Sequence, residues 1–483
     1  MDDERSLLEV SLDGTPPDNI SPDSPSLWSK AMGRILVGIV LESWTLRFWG
    51  LDLLLPVWGH ILYLLGLRTL RRENRAFRAC WYVTLVQTGL WAFSLLHRAA
   101  PGWQSFYAAP PGLALTYLGL LLPMVQLFCL RRGLRAVRSG AGLSPGGGAL
   151  IVLLLWQAVL LLLAVSGGSG KIQIGIFGFL LLLAVYAWTI RCLRRSYREV
   201  DGTGIVSAPV RLPDWLLAGA VVGGLLAGIA VVGLTCDRLP MAWQPGGPVS
   251  NGQADAVKER LLSLGFPEDV LDDLSTEDLL TCAGAVQVVS DAQRHAMTSR
   301  KVDEAFPRPL LCTNVAVELE EDHWRIFHHF RWEEGTRFYG ADALQLWPVS
   351  RHMDGWSFIG PYTGRVLCRQ NGADLWAPYY FLGEEIYTSS SIFFGTHTAT
   401  DCFASFSFPR QGERCRGYVT YEAISIRTGY LFDSWANYAH AMERFQYPAL
   451  SGHEWLKTGG MISDEEPFYR VQNALQFLPE AKQ

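Results

Sequence analysis

Residues 213–244, PDWLLAGAVVGGLLAGIAVVGLTCDRLPMAWQ, decide the architecture of this chain. From Asp214 to Thr235 the run is apolar, with Asp214 its sole charge. An α-helix needs about twenty such residues to cross the hydrocarbon of a bilayer. Asp237, Arg238 and Pro240 then end the run. The chain changes character at that point. Upstream it is oily and basic. Downstream it is acidic, aromatic and patterned like strands.

The net charge of −5 over 483 residues hides this asymmetry. Residues 1–31 carry seven acids and two bases, residues 32–235 six acids and eighteen bases, and residues 236–483 thirty-three acids and twenty-one bases. Residues 1–31 (DDERS, DGTPPDN, SPDSPS) offer no apolar face, so a disordered acidic tail is expected. They lack the basic start and apolar run of a cleavable signal. The first hydrophobic segment is therefore expected to act as an uncleaved targeting signal. Arginine outnumbers lysine thirty-five to six, a bias that reads as genome composition rather than nucleic-acid binding.

Residues 32–235 read as a membrane bundle of about six helices, near 50–67, 79–97, 111–130, 149–166, 172–190 and 213–234. Residues 33–48 form either a short helix or half of a re-entrant hairpin. Three arginine clusters orient the bundle: Arg68, Arg71, Arg72, Arg75 and Arg78; Arg131, Arg132, Arg135 and Arg138; and Arg191, Arg194, Arg195 and Arg198. Cytoplasmic loops collect Lys and Arg. All three clusters fall on alternate loops, so a single orientation satisfies them. The last crossing then runs outward, and the C-terminal region is expected outside the cytoplasm. Gly219/Gly223 and Gly224/Gly228 have the small-xxx-small spacing that lets helix backbones approach. Packing within the bundle is the plainer reading, and self-association the alternative.

Residues 236–252 read as a linker and 253–303 as a helical neck. Ser275 with Asp278 three later has the form of a capping box before TEDLLTCAGAVQVVSDAQ. The run LLSLGFPEDVLDDLSTEDLL, with Gly265-Phe266 between two helices, resembles a ubiquitin-associated three-helix domain. That resemblance implies ubiquitin recognition. The expected export places the run away from the cytosol and favours the neck.

From about 304 the period changes to two, and an antiparallel β-sandwich or jelly roll with C-terminal helices is expected. NVAVELEEDHWRIFHHFRW reads as two strands. DALQLWPVS and WSFIGPY flank Asp354-Gly355, and SIFFGTHTATDCFASFSF and RGYVTYEAISI flank Arg410-Gln411-Gly412. Asn371-Gly372 suits a type I′ hairpin. FDSWANYAHAMERF puts Phe432, Trp435, Ala439 and Met442 on one helical face.

Candidate chemistry is thin. His328 and His329 point to opposite faces of a strand, and His323 lies too far along it to share a ligand with His329. Gly142-Leu143-Ser144-Pro145-Gly146 fits a nucleophile elbow but lacks its strand–turn–helix context. Ser166–Lys171, SGGSGK, misses the first glycine and the Ser/Thr of a P-loop. His453-Glu454-Trp455-Leu456-Lys457 lacks the second histidine of a zinc-protease helix. The nine cysteines contain no CxxC pair; six of them (Cys236, Cys282, Cys312, Cys368, Cys402 and Cys415) fall in the later region, as disulfides or buried thiols. Neither a cofactor nor a metal is expected. Glu42, Arg47, Asp52 and His60 are ionisable groups in the first apolar stretch, with an interfacial location the plain alternative. Gln87, Gln126 and Gln157 are placed to bond between helices. Among Trp324, Trp332, Trp347, Trp356, Trp376 and Trp435, most are expected in the core; one or two exposed rings beside Asp, Glu or Arg would make a sugar or peptide platform. The expected role is binding or sensing a surface ligand or partner protein, with no nucleic acid involved. A transport-related protein is the rival, and a surface hydrolase comes third.

Overall fold

The computed structural model describes residues 26–43, 51–165, 176–205, 210, 212–246, 252–296, 309–320, 322–333, 335–347, 355–391, 395–427, 429–457 and 467–479. The SGGSGK run and Arg47 lie outside the described residues, and the Asp52 side chain is not described. Contacts divide the chain into two units, 1–95 with 106–228, and 96–105 with 229–483.

The first unit is helical: α1 Leu27–Ser43, α2 Leu51–Leu70, α3 Arg75–His97, α4 Trp103–Ala108, α5 Pro110–Gly140, α6 Gly148–Val165, α7 Ile176–Asp201 and α8 Asp214–Thr235, with α3, α4 and α8 reaching across the division. Three helices, α3, α5 and α8, are long and apolar enough to cross a membrane. The apolar parts of α2 and α6 are shorter, Leu54–Leu70 and Gly148–Val159. Helix α1 takes in the last five residues, 27–31, of the segment expected to be a disordered tail, because Trp28 and Ala31 are buried against the bundle.

Helices α1 and α2 form an antiparallel hairpin. A Cβ on Gly38 would lie 2.9 Å from the Gly59 carbonyl oxygen, and one on Gly66 2.6 Å from that of Ala31. The close backbone approach expected of α8 occurs here instead. Around Gly219, Gly223 and Gly224 no atom of another described element lies within 4 Å of an added Cβ, so these glycines do not pack within the bundle. Gly228, the fourth glycine of the two expected pairs, is half-buried on α8. Gly224 faces open space within the chain, which leaves self-association as the alternative for the Gly224/Gly228 pair.

Apart from Arg71 and Arg72, which lie in the turn between α2 and α3, the clustered arginines sit on helices rather than in loops. Arg131–Arg138 belong to α5 and Arg191–Arg198 to α7; Arg68 ends α2, and Arg75 and Arg78 open α3. Arginine is a good helix former, so these helices continue past their apolar stretches. Some of these arginines are structural. Arg138 is buried, donates to the carbonyls of Ser144 and Ser196 at 2.8 Å each, and pairs with Glu199 at 2.9 Å. Asp214 receives Arg34 at 2.5 Å and Arg68 at 2.6 Å. Trp28 donates to the Tyr197 carbonyl, and Asn74 to that of Gly133. These contacts gather the arginine-bearing helix ends at one end of the bundle.

The second unit holds two antiparallel sheets. The strands are β1 Gln244–Pro245, β2 Gln287–His295, β3 Leu310–Glu320, β4 His323–Trp332, β5 Asp342–Trp347, β6 Trp356–Gln370, β7 Ala373–Ala377, β8 Phe381–Ser391, β9 Gly395–Phe406, β10 Glu413–Ser425, β11 Phe432–Ala441 and β12 Phe468–Phe477. One sheet runs β1-β7-β6-β10-β4-β3-β2, the other β12-β11-β5-β9-β8; neither closes into a barrel. Leu310, Phe330 and Val419 of the first share a core with Leu344, Phe406 and Tyr438 of the second. The helices are α9 Gly252–Ser263, α10 Glu268–Leu271, α11 Thr276–Leu280 and α12 Gly452–Lys457.

Asn371 and Gly372 take φ of 52° and 79° between β6 and β7, the two left-handed residues that a type I′ turn requires. Ser275 caps α11, its hydroxyl accepting from the Asp278 amide at 3.0 Å.

Several expectations are corrected. The helix over TEDLLTCAGAVQVVSDAQ ends at Leu280; Gly284, at φ 87°, turns the chain into β2, which pairs with β3. The linker is anchored, since β1 pairs with β7 and Trp243 packs on the core. FDSWANYAHAMERF is not a helix. Its first ten residues are β11, bonded between β5 and β12, and partners on both sides override a helical pattern. The strands flanking Asp354-Gly355 and those flanking Arg410-Gln411-Gly412 are not hairpins: β5 and β9 lie in one sheet, β6 and β10 in the other. All nine cysteines are free thiols.

Candidate ligand-binding site

The five-stranded sheet turns one side to the shared core and the other away from it. Alternation fixes the outward set: Ala343, Gln345 and Trp347 on β5; Trp435, Asn437 and Ala439 on β11; Asp401, Phe403 and Ser405 on β9; Phe381, Glu385 and Tyr387 on β8. Trp435 and Trp347 are direct partners across the ladder. Leu346 pairs with Cys402, which brings Asp401 beside Trp347 on the other flank. A row of Trp435, Trp347 and Asp401 therefore crosses three strands.

Trp347 is 41% exposed and Trp435 half-buried. The other tryptophans take structural places. Trp324, Trp332 and Trp356 are core residues, and Trp376 lies under the Arg365 guanidinium.

Asp401 holds this row together. Its Oδ2 accepts from Tyr387 Oη at 2.6 Å, Gln345 Nε2 at 2.7 Å and Trp347 Nε1 at 3.1 Å. Burial, and then the Asp401 carboxylate, push the Tyr387 phenol up, so it stays a protonated donor. Gln345 Oε1 in turn accepts from Asn437 Nδ2 at 3.2 Å. Asn437 Oδ1 is buried and receives no hydrogen bond among the described residues. The arrangement is a rigid polar floor beneath two indoles.

Helix α12 covers the neighbouring part of the same face, where Trp455 and Leu456 pack on Ala343, Phe403 and Ala439. A polar clip locks it. The His453 ring stacks on Phe403 and Phe381 at centroid distances of 4.6 and 5.2 Å. Its Nδ1 meets Ser405 Oγ at 2.9 Å and its Nε2 meets Glu385 at 3.2 Å; Lys457 also pairs with Glu385. Burial lowers the His453 pKa to about 4.

Serine, histidine and acid in contact match the roles of a catalytic triad. A triad also needs an approach for the substrate and donors for the oxyanion. Ser405 is buried in mid-ladder between Ala343 and Phe381, and Phe rings flank His453. The trio acts as a clip.

The remaining candidates have local partners. His328 meets Asn314 at 2.8 Å and Ser434 at 2.9 Å; His329 meets Asp273 at 2.9 Å on the opposite face; His323 meets Glu422 at 3.0 Å. Ser144 serves Arg138, and Glu454 accepts from the Ser451 amide. Glu42 Oε1 and His60 Nδ1 lie 3.1 Å apart across the α1–α2 hairpin, off the line of a directed bond. Gln126 donates to Thr84 Oγ1 at 2.9 Å between α5 and α3.

Asp401, Gln345, Tyr387 and Asn437 were not among the residues singled out from the sequence. The available signal was a polar residue inside an apolar strand, Asp401 in TATDCFASF and Gln345 in DALQLW.

No family model matches this chain, and no curated protein matches it. Among solved structures, one bearing the description "AvmM Catalyzes Macrocyclization in Alchivemycin A Biosynthesis" matches at 9% identity, over 41% of this chain and 91% of that one, with a TM-score of 0.15. A likeness at that score carries no argument about fold or function.

Proposed function

We propose that this is a multi-pass membrane protein whose two sheets form a β-sandwich outside the cytoplasm. Its function is to bind or sense a surface ligand on the outer face of the five-stranded sheet. The membrane helices serve as anchor or relay. One observation carries this reading: Trp347, exposed on a sheet face, is held at its N–H edge by a buried carboxylate and stands in register with a second indole. Aromatic rings fixed by buried polar partners are how binding sites pre-organise contact area. The arginine clusters support the orientation. The role is binding rather than catalysis, because the Ser405–His453–Glu385 trio lacks access.

Intact cells carrying the protein test the reading with a fluorescent glycan library, applied without permeabilisation. They are expected to retain a subset of glycans, and cells carrying Trp347→Ala are expected to lose it. Retention that survives the substitution, or that needs permeabilised cells, overturns the proposal.

A further inference from the structure

The buried acids of the second unit differ in their partners. Asp237 pairs with Arg410 at 2.6 Å, Asp273 with Arg416 at 2.6 Å and Asp278 with Arg325 at 3.4 Å. Asp401 is as deeply placed, 8% exposed, yet its three hydrogen bonds all come from neutral donors. Among the described residues no cation lies within ion-pair distance of it. Glu385, its ladder partner on β8, is already matched by Lys457 and His453. Arg470 shares the outward face but stands three strands away, in register with Ala439. Burying a carboxylate without a counter-charge is costly. The negative charge therefore sits beside an exposed indole with no cation of the protein's own.

We infer that the ligand is a glycan bearing a free amino sugar, with its ammonium group set against Asp401 and its ring over Trp347 and Trp435. This rests on the binding reading above. An indole face attracts a cation through its quadrupole, and donating the N–H to a carboxylate makes that face more electron-rich. Asp401 supplies the counter-charge on the same row. The acidic balance of residues 236–483 favours approach of a cationic ligand. Peptides that bind a sheet by strand addition are captured along its exposed edges. Both indoles instead stand on interior strands, with β11 between β12 and β5, and β5 between β11 and β9.

The test uses the full chain in lipid nanodiscs and three tetrasaccharides that differ only at C2: β-1,4-linked glucosamine, its N-acetylated form, and cellotetraose. Binding is read by tryptophan fluorescence. The glucosamine tetramer is expected to bind at least about tenfold more tightly than the other two. Asp401→Asn, which keeps an acceptor for Trp347, Gln345 and Tyr387, should erase that preference, and Trp347→Ala should abolish binding of all three. Equal affinity for the three, still lost in Trp347→Ala, overturns the amino-sugar inference and leaves the platform standing. No binding by any, or binding indifferent to Trp347→Ala, overturns both. A tetralysine peptide binding as tightly as the glucosamine tetramer overturns the choice of a glycan.

Discussion

The two sheets treat their outward faces in opposite ways. On the seven-stranded sheet, α9, α10 and α11 close the face. Leu261, Phe266, Val270 and Leu271 pack on Val315, Val317, Phe327 and Tyr418, with Phe266 and Phe327 edge-to-face at 5.7 Å. The two carboxylates beneath those helices each meet an arginine. Asp278 accepts from the Tyr418 hydroxyl at 2.5 Å and the Thr363 hydroxyl at 2.6 Å, and faces Arg325. Asp273 binds His329 and Arg416. Burial alone would raise the Asp273 carboxyl; the hydrogen bond from His329 and the Arg416 guanidinium outweigh it and hold it below its usual range. On the five-stranded sheet, α12 covers only part of the face. The rest carries a half-exposed indole and a carboxylate served by neutral donors. A face whose charges are internally balanced has no need of a ligand. One left with an unmatched buried charge forgoes stability, as binding sites commonly do.

The covered face should break hardest. Asp278→Ala removes the Arg325 counter-charge, a Tyr418 bond and the bond from the Ser275 hydroxyl in one step. Cutting one side of a buried ion pair costs about 3 kcal/mol or more. The thermal midpoint of tryptophan emission in nanodiscs should fall by several degrees. A midpoint within one degree of wild type would show that these helices merely rest on the sheet.

Acid should act next. Burial lowers His328 to about 3 and His453 to about 4. Unfolded, both take up a proton near pH 6.5; folded, both stay neutral well below that. The unfolded chain thus binds more protons between about pH 6.5 and 4, and stability falls as pH falls through that window. Each histidine contributes on the order of 3 kcal/mol of that loss by pH 4. His453→Gln should flatten the dependence of the midpoint on pH by about half between pH 6.5 and 4. The same slope in variant and wild type would show that the clip does not resist protonation.

Legibility followed sequence distance. Helix α8 was readable because one uninterrupted apolar run decides it. The β6–β7 hairpin was readable because Asn371-Gly372 sits between its own strands. Strand β11 was not, since FDSWANYAHAMERF satisfies a helical face and a strand alternation equally, and β5 and β12 decide between them from elsewhere in the chain. The sequence narrowed the site to a tryptophan beside an acid but could not choose which. Trp347 meets Asp401 only because β5 and β9 pair across an excursion through the other sheet. The small-xxx-small spacing was legible in α8, whereas the close approach at Gly38 and Gly66 carries no such spacing and shows only in the packed structure.

Asp401→Asn should have the smallest effect on stability, and it sharpens the contrast most. The substitution keeps the shape and an acceptor for Tyr387, Gln345 and Trp347, and removes a charge with no partner. Replacing unpaired buried charge costs little and often stabilises, so the midpoint should hold or rise by the equivalent of about 0–1 kcal/mol. Asp278 and Asp401 have the same carboxylate and nearly the same burial, 5% and 8% exposed. If the two faces differ in purpose, neutralising the first should lower the midpoint by several degrees and neutralising the second should spare it. A loss at Asp401 as large as that at Asp278 would mean that the open face is structural after all, with its carboxylate kept to align Trp347 rather than to meet a cation.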